Sequence, residues 1–209
     1  RRKWYLGSIL KLPRPPNAAA ELGGEIHKVL EVALLQGWDV AEVGVRQQVQ
    51  YPARAAWEAF VDYMTEHGLP LHPINMMVEL DWNLPAPYLP LPVRGRIDLE
   101  TPWFQLDWKS TSNFRYRKTP DEMLRDTQVL LYGSAYRERH KRDVPFVHIH
   151  TLTRGKPAAV VTVTNLTRAQ YDVGIEAIAD DAREMSRIIA AGIDAARKNL
   201  GSCRKYGGC

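Results

Sequence analysis

Apolar and polar positions along this chain follow two different periods, and the change of period divides it into segments. From Ala18 to Leu35 the apolar residues Leu22, Ile26, Val29 and Ala33 recur at helical spacing, which predicts a helix with one buried stripe. Asn17 is suited to cap its start and Gly37 to end it. A second helix is expected from Pro52 to His67, with proline at the first helical position and Gly68 as the stop. Strand-like segments follow. INMMVELDW (74–82) is apolar and then alternating, VRGRIDLE (93–100) places Val93, Gly95, Ile97 and Leu99 on one side, and WFQLDWKS (103–110) is rich in aromatics. Thr101-Pro102 joins the last two as a hairpin. A helix is expected from Pro120 to Arg139, with Thr119 as N-cap and the acids Asp121 and Glu122 in its first turn. Strands over PFVHIHTLT (145–153) and AAVVTVTN (158–165) flank Arg154-Gly155, and a long helix from Thr167 to Asn199, capped by Thr167 or Asn165, closes the pattern.

The order helix, helix, three strands, helix, two strands, helix predicts an α/β (α+β) fold with a mixed central sheet flanked by helices. The 209 residues suffice for one domain with a sizeable core. We read 1–209 as a single domain: a helical N-terminal part over 17–67, a core over 74–165, and a C-terminal helix over 167–199 with a cysteine-containing tail. PAPYLPLP (85–92) is a loop insertion within it, not a linker. No apolar run approaches the roughly 18 residues that cross a bilayer. The N-terminal RRKWYLGSILKLPRPP is basic and broken by prolines too early for a signal peptide. A cytoplasmic location without membrane contact is therefore expected. The opening on Arg1 is what a trimmed fragment would show. A net charge of +4 mildly favours an anionic partner without identifying one.

The candidate chemistry sits where the strand pattern is interrupted. IDLETPWFQLDWKS (97–110) carries Asp98, Asp107 and Lys109 among strongly apolar neighbours. Residues two apart in a strand share a face, so Asp107 and Lys109 point one way and Trp108 the other. Asp98, on the neighbouring strand, lies on the face opposite Ile97 and Leu99, so two acids and a lysine converge on one surface. An exposed cross-strand ion pair is the plainer meaning of any such trio, but the apolar flanks make these strands central. His27 follows Gly23 and Gly24 by one helical turn, and glycines inside a helix cost about 1 kcal/mol each relative to alanine, which suggests close approach by a backbone or a ligand. Gln128 and Tyr132, four apart in DTQVLLYGSAY, share a helix face. Glu79 on the preceding strand is a weaker candidate, read equally well as an exposed strand acid. The basic runs RYRK (115–118) and RERHKR (137–142) could line a groove for a polyanion, although RERHKR also suits an ordinary helix C-terminus. Phe114 and Tyr116, interleaved with Arg115 and Arg117, could stack on unpaired bases.

Taken in order, His27, Asp98, Asp107-x-Lys109 and Gln128-xxx-Tyr132 resemble the PD-(D/E)XK nuclease superfamily. They are most similar to its RecB-like exonuclease branch, which includes phage and CRISPR-associated exonucleases. GRIDL resembles the motif with the first acid, LDWKS that with the second acid and lysine, and DTQVLLY that on the helix after the sheet. The resemblance implies a restriction-endonuclease-like core and a metal-dependent DNA nuclease, most simply an exonuclease in recombination, repair or phage DNA processing. Its setting would be a prokaryotic cell or a phage-infected host. It implies Mg²⁺ or Mn²⁺ held by His27, Asp98, Asp107 and the backbone carbonyl of Trp108, with the imidazole tilting the choice towards manganese. Lys109 would orient or help deprotonate the attacking water, or neutralise the pentacovalent phosphate. Gln128 and Tyr132 would position the substrate phosphate or Lys109. Arg115, Tyr116, Arg117 and Lys118 would grip DNA, as single strands or duplex ends, and recombination or helicase partners would fit the branch.

Cys203 and Cys209 in CRKYGGC are the only cysteines. Alone they are a weak metal signal, read as a disulfide or two free thiols. CRKYGGC and RRKWYL resemble parts of the four-cysteine 4Fe-4S clamp of some RecB-like nucleases, which would need further cysteines from outside this chain. Two other classes stay open on sequence alone. One is a nucleic-acid-binding accessory subunit with a vestigial nuclease site. The other is an unrelated domain in which these residues lie far apart.

Overall fold

The computed structural model describes residues 17–71, 76–84, 89 and 93–192. The first helix, α1 (Ala18–Gln36), starts where Asn17 accepts hydrogen bonds from the Ala19 and Ala20 amides and stops at Gly37, whose φ of 91° a side chain would resist. A single turn, α2 (Trp38–Ala41), links it to α3 (Gln47–Glu66). The latter begins five residues before the expected start, so Pro52 lies inside the helix rather than at its first position. The missing N–H is tolerated near the start of a helix with an extensive buried face, and the Pro52 carbonyl also accepts from Thr151 Oγ1 at 2.7 Å.

Five strands follow in the expected order: β1 (Met77–Leu84), β2 (Val93–Glu100), β3 (Gln105–Thr111), β4 (Phe146–Leu152) and β5 (Ala159–Thr164). They form one sheet in the order β1-β2-β3-β4-β5, with β3 and β4 parallel and the other neighbours antiparallel. Between β3 and β4 the single helix expected over 120–139 is two helices: α4 (Pro120–Met123) and α5 (Thr127–His140). Thr119 caps α4 in a reciprocal box with Glu122, and the chain then turns so that Asp126 caps α5 through the Gln128 and Val129 amides. The last helix, α6 (Arg168–Ala191), is capped by Thr167 and Gln170 in the same way.

Two apolar clusters sandwich the sheet. One joins α1, α2 and α3 to Leu99, Leu106, Trp108, Val147 and Ile149. The other joins α4, α5 and α6 to Ile97 and Phe146. Ile97 and Leu99, expected on one face, therefore lie in opposite layers. The exchange falls where Glu79 takes a left-handed φ of 53° in β1, between the Val78–Leu99 and Leu80–Ile97 pairs of the ladder.

Candidate active site

The same region of the sheet is where β2 and β3 part. Their pairing is confined to Leu99–Leu106 and Glu100–Gln105, next to the connecting turn. Beyond it the backbone ladder is replaced by a side chain, as Asp98 Oδ2 accepts from the Trp108 amide at 2.7 Å. The two strands open around this bond, and α1 lies across the opening. The result is a cleft of about 450 Å³ lined by Gly23, Gly24, His27, Glu79, Asp98, Trp108, Lys109 and Ser110, among others. The Trp108 side chain is buried in the α1–α3 layer, so that residue faces the cleft through its backbone. Gly23 explains how α1 comes so near: a Cβ there would stand 2.7 Å from Ser110 Oγ, whereas one on Gly24 would meet nothing within 4 Å.

The acids and the lysine expected to converge do so, with distinct partners. His27 Nδ1 lies 3.4 Å from Asp98 Oδ1. Asp107 Oδ1 accepts from Gln128 Nε2 at 2.8 Å, and its Oδ2 pairs with the Lys109 ammonium. Lys109 Nζ also donates to Gln128 Oε1 at 2.7 Å. Gln128 Nε2 reaches Tyr132 Oη at 2.8 Å, and that hydroxyl donates to the Arg96 carbonyl at 2.6 Å. One amide on α5 thus fixes the second acid and the lysine together. Helix α5 is itself set close to α6, since a Cβ on Gly133 would overlap the Tyr171 ring.

Burial dominates the electrostatics of this group. It pushes the Asp107 carboxyl up to about 6, against the pull of Lys109 and with the help of the Asp98 charge. Burial also opposes protonation of His27, but the Asp98 carboxylate outweighs it and leaves the imidazole pKa raised. Burial, then the Asp98 and Glu31 charges, raise Glu79. Burial takes the Tyr132 phenol up to about 12, so it remains an O–H donor at neutral pH.

Among the described residues no three His, Cys, Asp or Glu side chains are arranged to hold a metal as they stand. His27 and Asp98 face each other, whereas Asp107 is engaged by Lys109 and Gln128. The donors still fit a hard divalent cation in kind. Two neighbouring carboxylates lie in a buried setting, and burial and the Asp98 charge raise the Asp107 pKa.

The remaining candidates separate clearly. Arg115, Tyr116 and Arg117 are exposed just beyond β3, with the Arg115 guanidinium over the Tyr116 ring at 4.7 Å; Lys118 pairs instead with Asp126, the cap of α5. The RERHKR run is occupied internally. Arg137 bonds Asp143, Arg139 and His140 bond the buried Glu100, Lys141 pairs with Glu138, and Arg142 donates to the Pro102 carbonyl. Cys203 and Cys209 lie outside the described residues. Sequence reasoning missed His148 and His150, which lie on β4 opposite Asp107 and Lys109 in the parallel register. The available signal was two histidines two apart in the apolar strand FVHIHTL, which must share a face. Burial, then the Lys109 charge, takes His148 down to about 3 and His150 to about 4.

A mixed sheet parted at its centre, with two acids and a lysine held there by a helix glutamine, defines a nuclease-type α/β core. The family model of the PD-(D/E)XK nuclease superfamily matches residues 1–209, and the chain belongs to that superfamily. In structure it is similar to a protein named "Putative exonuclease" from Eubacterium rectale, at a TM-score of 0.55 and 10% identity, covering 95% of this chain and 77% of that one. A likeness to SSO0001, with 10% identity over 84% of this chain and 81% of that one, has a TM-score of 0.35 and is too distant to define a fold. No curated protein matches the sequence significantly. Among the described residues no helix is long and apolar enough to cross a membrane.

Proposed function

We propose that this nuclease is a metal-dependent DNA exonuclease of the RecB-like branch. The observation that carries the reading is the Gln128 amide bonded to both Asp107 and Lys109, beside Asp98 and His27 in an open cleft. Asp98, Asp107, His27 and the Trp108 carbonyl are the groups that would hold Mg²⁺ or Mn²⁺. A divalent cation there supplies polarisation of a phosphate oxygen and acidification of water. Lys109 carries a proton at Nζ beside the reacting phosphate, neutralising charge as water oxygen bonds to phosphorus and the ester oxygen departs. Gln128 keeps that ammonium from swinging away, and Tyr132 keeps Gln128 in place. The exposed Arg115, Tyr116 and Arg117, just beyond β3, would grip a nucleic-acid backbone, with Tyr116 as a stacking surface for an unpaired base. Recombination, repair or phage DNA processing is the setting in which such trimming of ends is used.

The test is digestion of end-labelled single- and double-stranded DNA with Mg²⁺ or Mn²⁺, comparing the wild type with Asp107→Ala. Metal-dependent release of mononucleotides or short products from the ends is expected, reduced by about 10²–10³-fold or more in the variant. Equal rates for the two proteins would rule out the site. Binding without cleavage by the wild type would make the chain an accessory subunit instead.

A further inference from the structure

His148 is fully buried, and among the described residues neither of its ring nitrogens has a hydrogen-bond partner. An imidazole desolvated in this way is costly, and Phe146, two residues earlier on the same face, shows that an apolar ring suits that side of β4. The ring has one conspicuous neighbour. His148 is the register partner of Asp107, and its Nε2 lies 3.7 Å from Asp107 Oδ2. That oxygen also pairs with the Lys109 ammonium, whereas Oδ1 is held by Gln128 at 2.8 Å. Phe146 and His150 stand edge-on to the imidazole, with ring centroids 5.3 and 5.5 Å away, and leave it little freedom to turn aside.

We propose that His148 is a positioning residue for Asp107, its Nε2–H directed at Oδ2 so that the carboxylate is fixed from the sheet as well as from α5. Gln128 approaches one oxygen from the helix and His148 the other from the neighbouring strand. A carboxylate oriented on both oxygens presents its remaining lone pairs to a cation in one direction only, which raises affinity without adding a ligand. The inference rests on the reading of Asp107 as a metal-holding residue.

The experiment is calorimetric titration of the full chain with Mn²⁺ alone, without nucleic acid, together with thermal melts. The proteins are wild type, Asp107→Ala, His148→Leu, His148→Asn and His148→Gln. Glutamine can place an amide N–H near the imidazole Nε2 position; asparagine is one bond too short and leucine has no donor. His148→Leu and His148→Asn are expected to weaken Mn²⁺ binding by about tenfold or more, while His148→Gln stays within about threefold of wild type. His148→Leu should melt close to wild type, because the desolvation cost of the imidazole goes together with its contact to Oδ2. If leucine does not fold, the asparagine–glutamine pair carries the comparison. Wild-type affinity in the leucine and asparagine variants would overturn the proposal, as would equal loss in all three. Failure of the wild type to bind Mn²⁺, or undiminished binding by Asp107→Ala, would instead overturn the metal site itself, and this role with it.

Discussion

Gln128 shows how much of this site depends on a residue with no charge. Its amide oxygen takes the Lys109 ammonium and its nitrogen serves Asp107 and Tyr132, so all its strong bonds are spent inside the protein. Gln128→Ala should therefore lower kcat by about 10- to 100-fold while leaving DNA affinity nearly unchanged, a split that single-turnover kinetics and filter binding will read. A matched loss in affinity would mean that Gln128 holds the substrate phosphate directly. The residues of this network were legible because each lies on a regular element, where a period of two or of four fixes its face: Asp107 with Lys109, Gln128 with Tyr132. His148 and His150 follow the same rule but are set in so apolar a run that the strand reads as core. The opposite placement of Ile97 and Leu99 was not legible at all, because it falls at a break in the ladder, beside a left-handed glutamate, that no local pattern marks.

At the scale of elements, the contact between α1 and β3 decides whether His27 reaches Asp98. The two adjacent glycines of α1 make different predictions there. Gly24→Ala meets nothing and should stabilise the protein by about 1 kcal/mol through helix propensity. Gly23→Ala brings a methyl against Ser110 Oγ, so it should stabilise less or not at all, and the deficit should vanish in a Ser110→Ala background. Denaturant unfolding of the double-mutant cycle measures this; equal gains at both positions would remove Gly23 as the cause of the close approach. The sequence suggested such an approach from the glycine pair but could not say which of the two was used. The break between α4 and α5 was similarly hidden. Thr119 and Asp126 are both good caps, and only the turn between the helices shows that both are employed.

Across the whole molecule, the C-terminal end of α5 is tied to the sheet at Glu100, beside the turn from β2 into β3. Glu100 is 2% exposed and receives Gln105, Arg139 and His140. Glu100→Ala leaves those donors facing a buried void and should cost about 2–3 kcal/mol, discounted because Arg139 and His140 are partly in solvent. For a chain of this size that corresponds to a fall in Tm of about 4–12 °C. Nucleic-acid affinity should stay unchanged at a temperature where both proteins are folded. A selective loss of affinity with Tm intact would return the RERHKR run to the binding surface. The layered α/β architecture was the most legible level, because strand and helix periods alternate cleanly along the chain. The internal commitment of those basic residues was not, since a run of arginines reads the same whether its partner is a buried glutamate or a phosphate.

The bond from Asp98 to the Trp108 amide has a consequence for genetics. Any allele that removes this carboxylate deletes an acid and takes the acceptor from the Trp108 amide in the same stroke. An inactive Asp98 allele is therefore ambiguous evidence, as lost chemistry and an unpartnered Trp108 amide give the same phenotype. Asp107 is the cleaner position at which to ask what the chemistry requires, because the backbone on either side of it is held by β4 whatever its side chain.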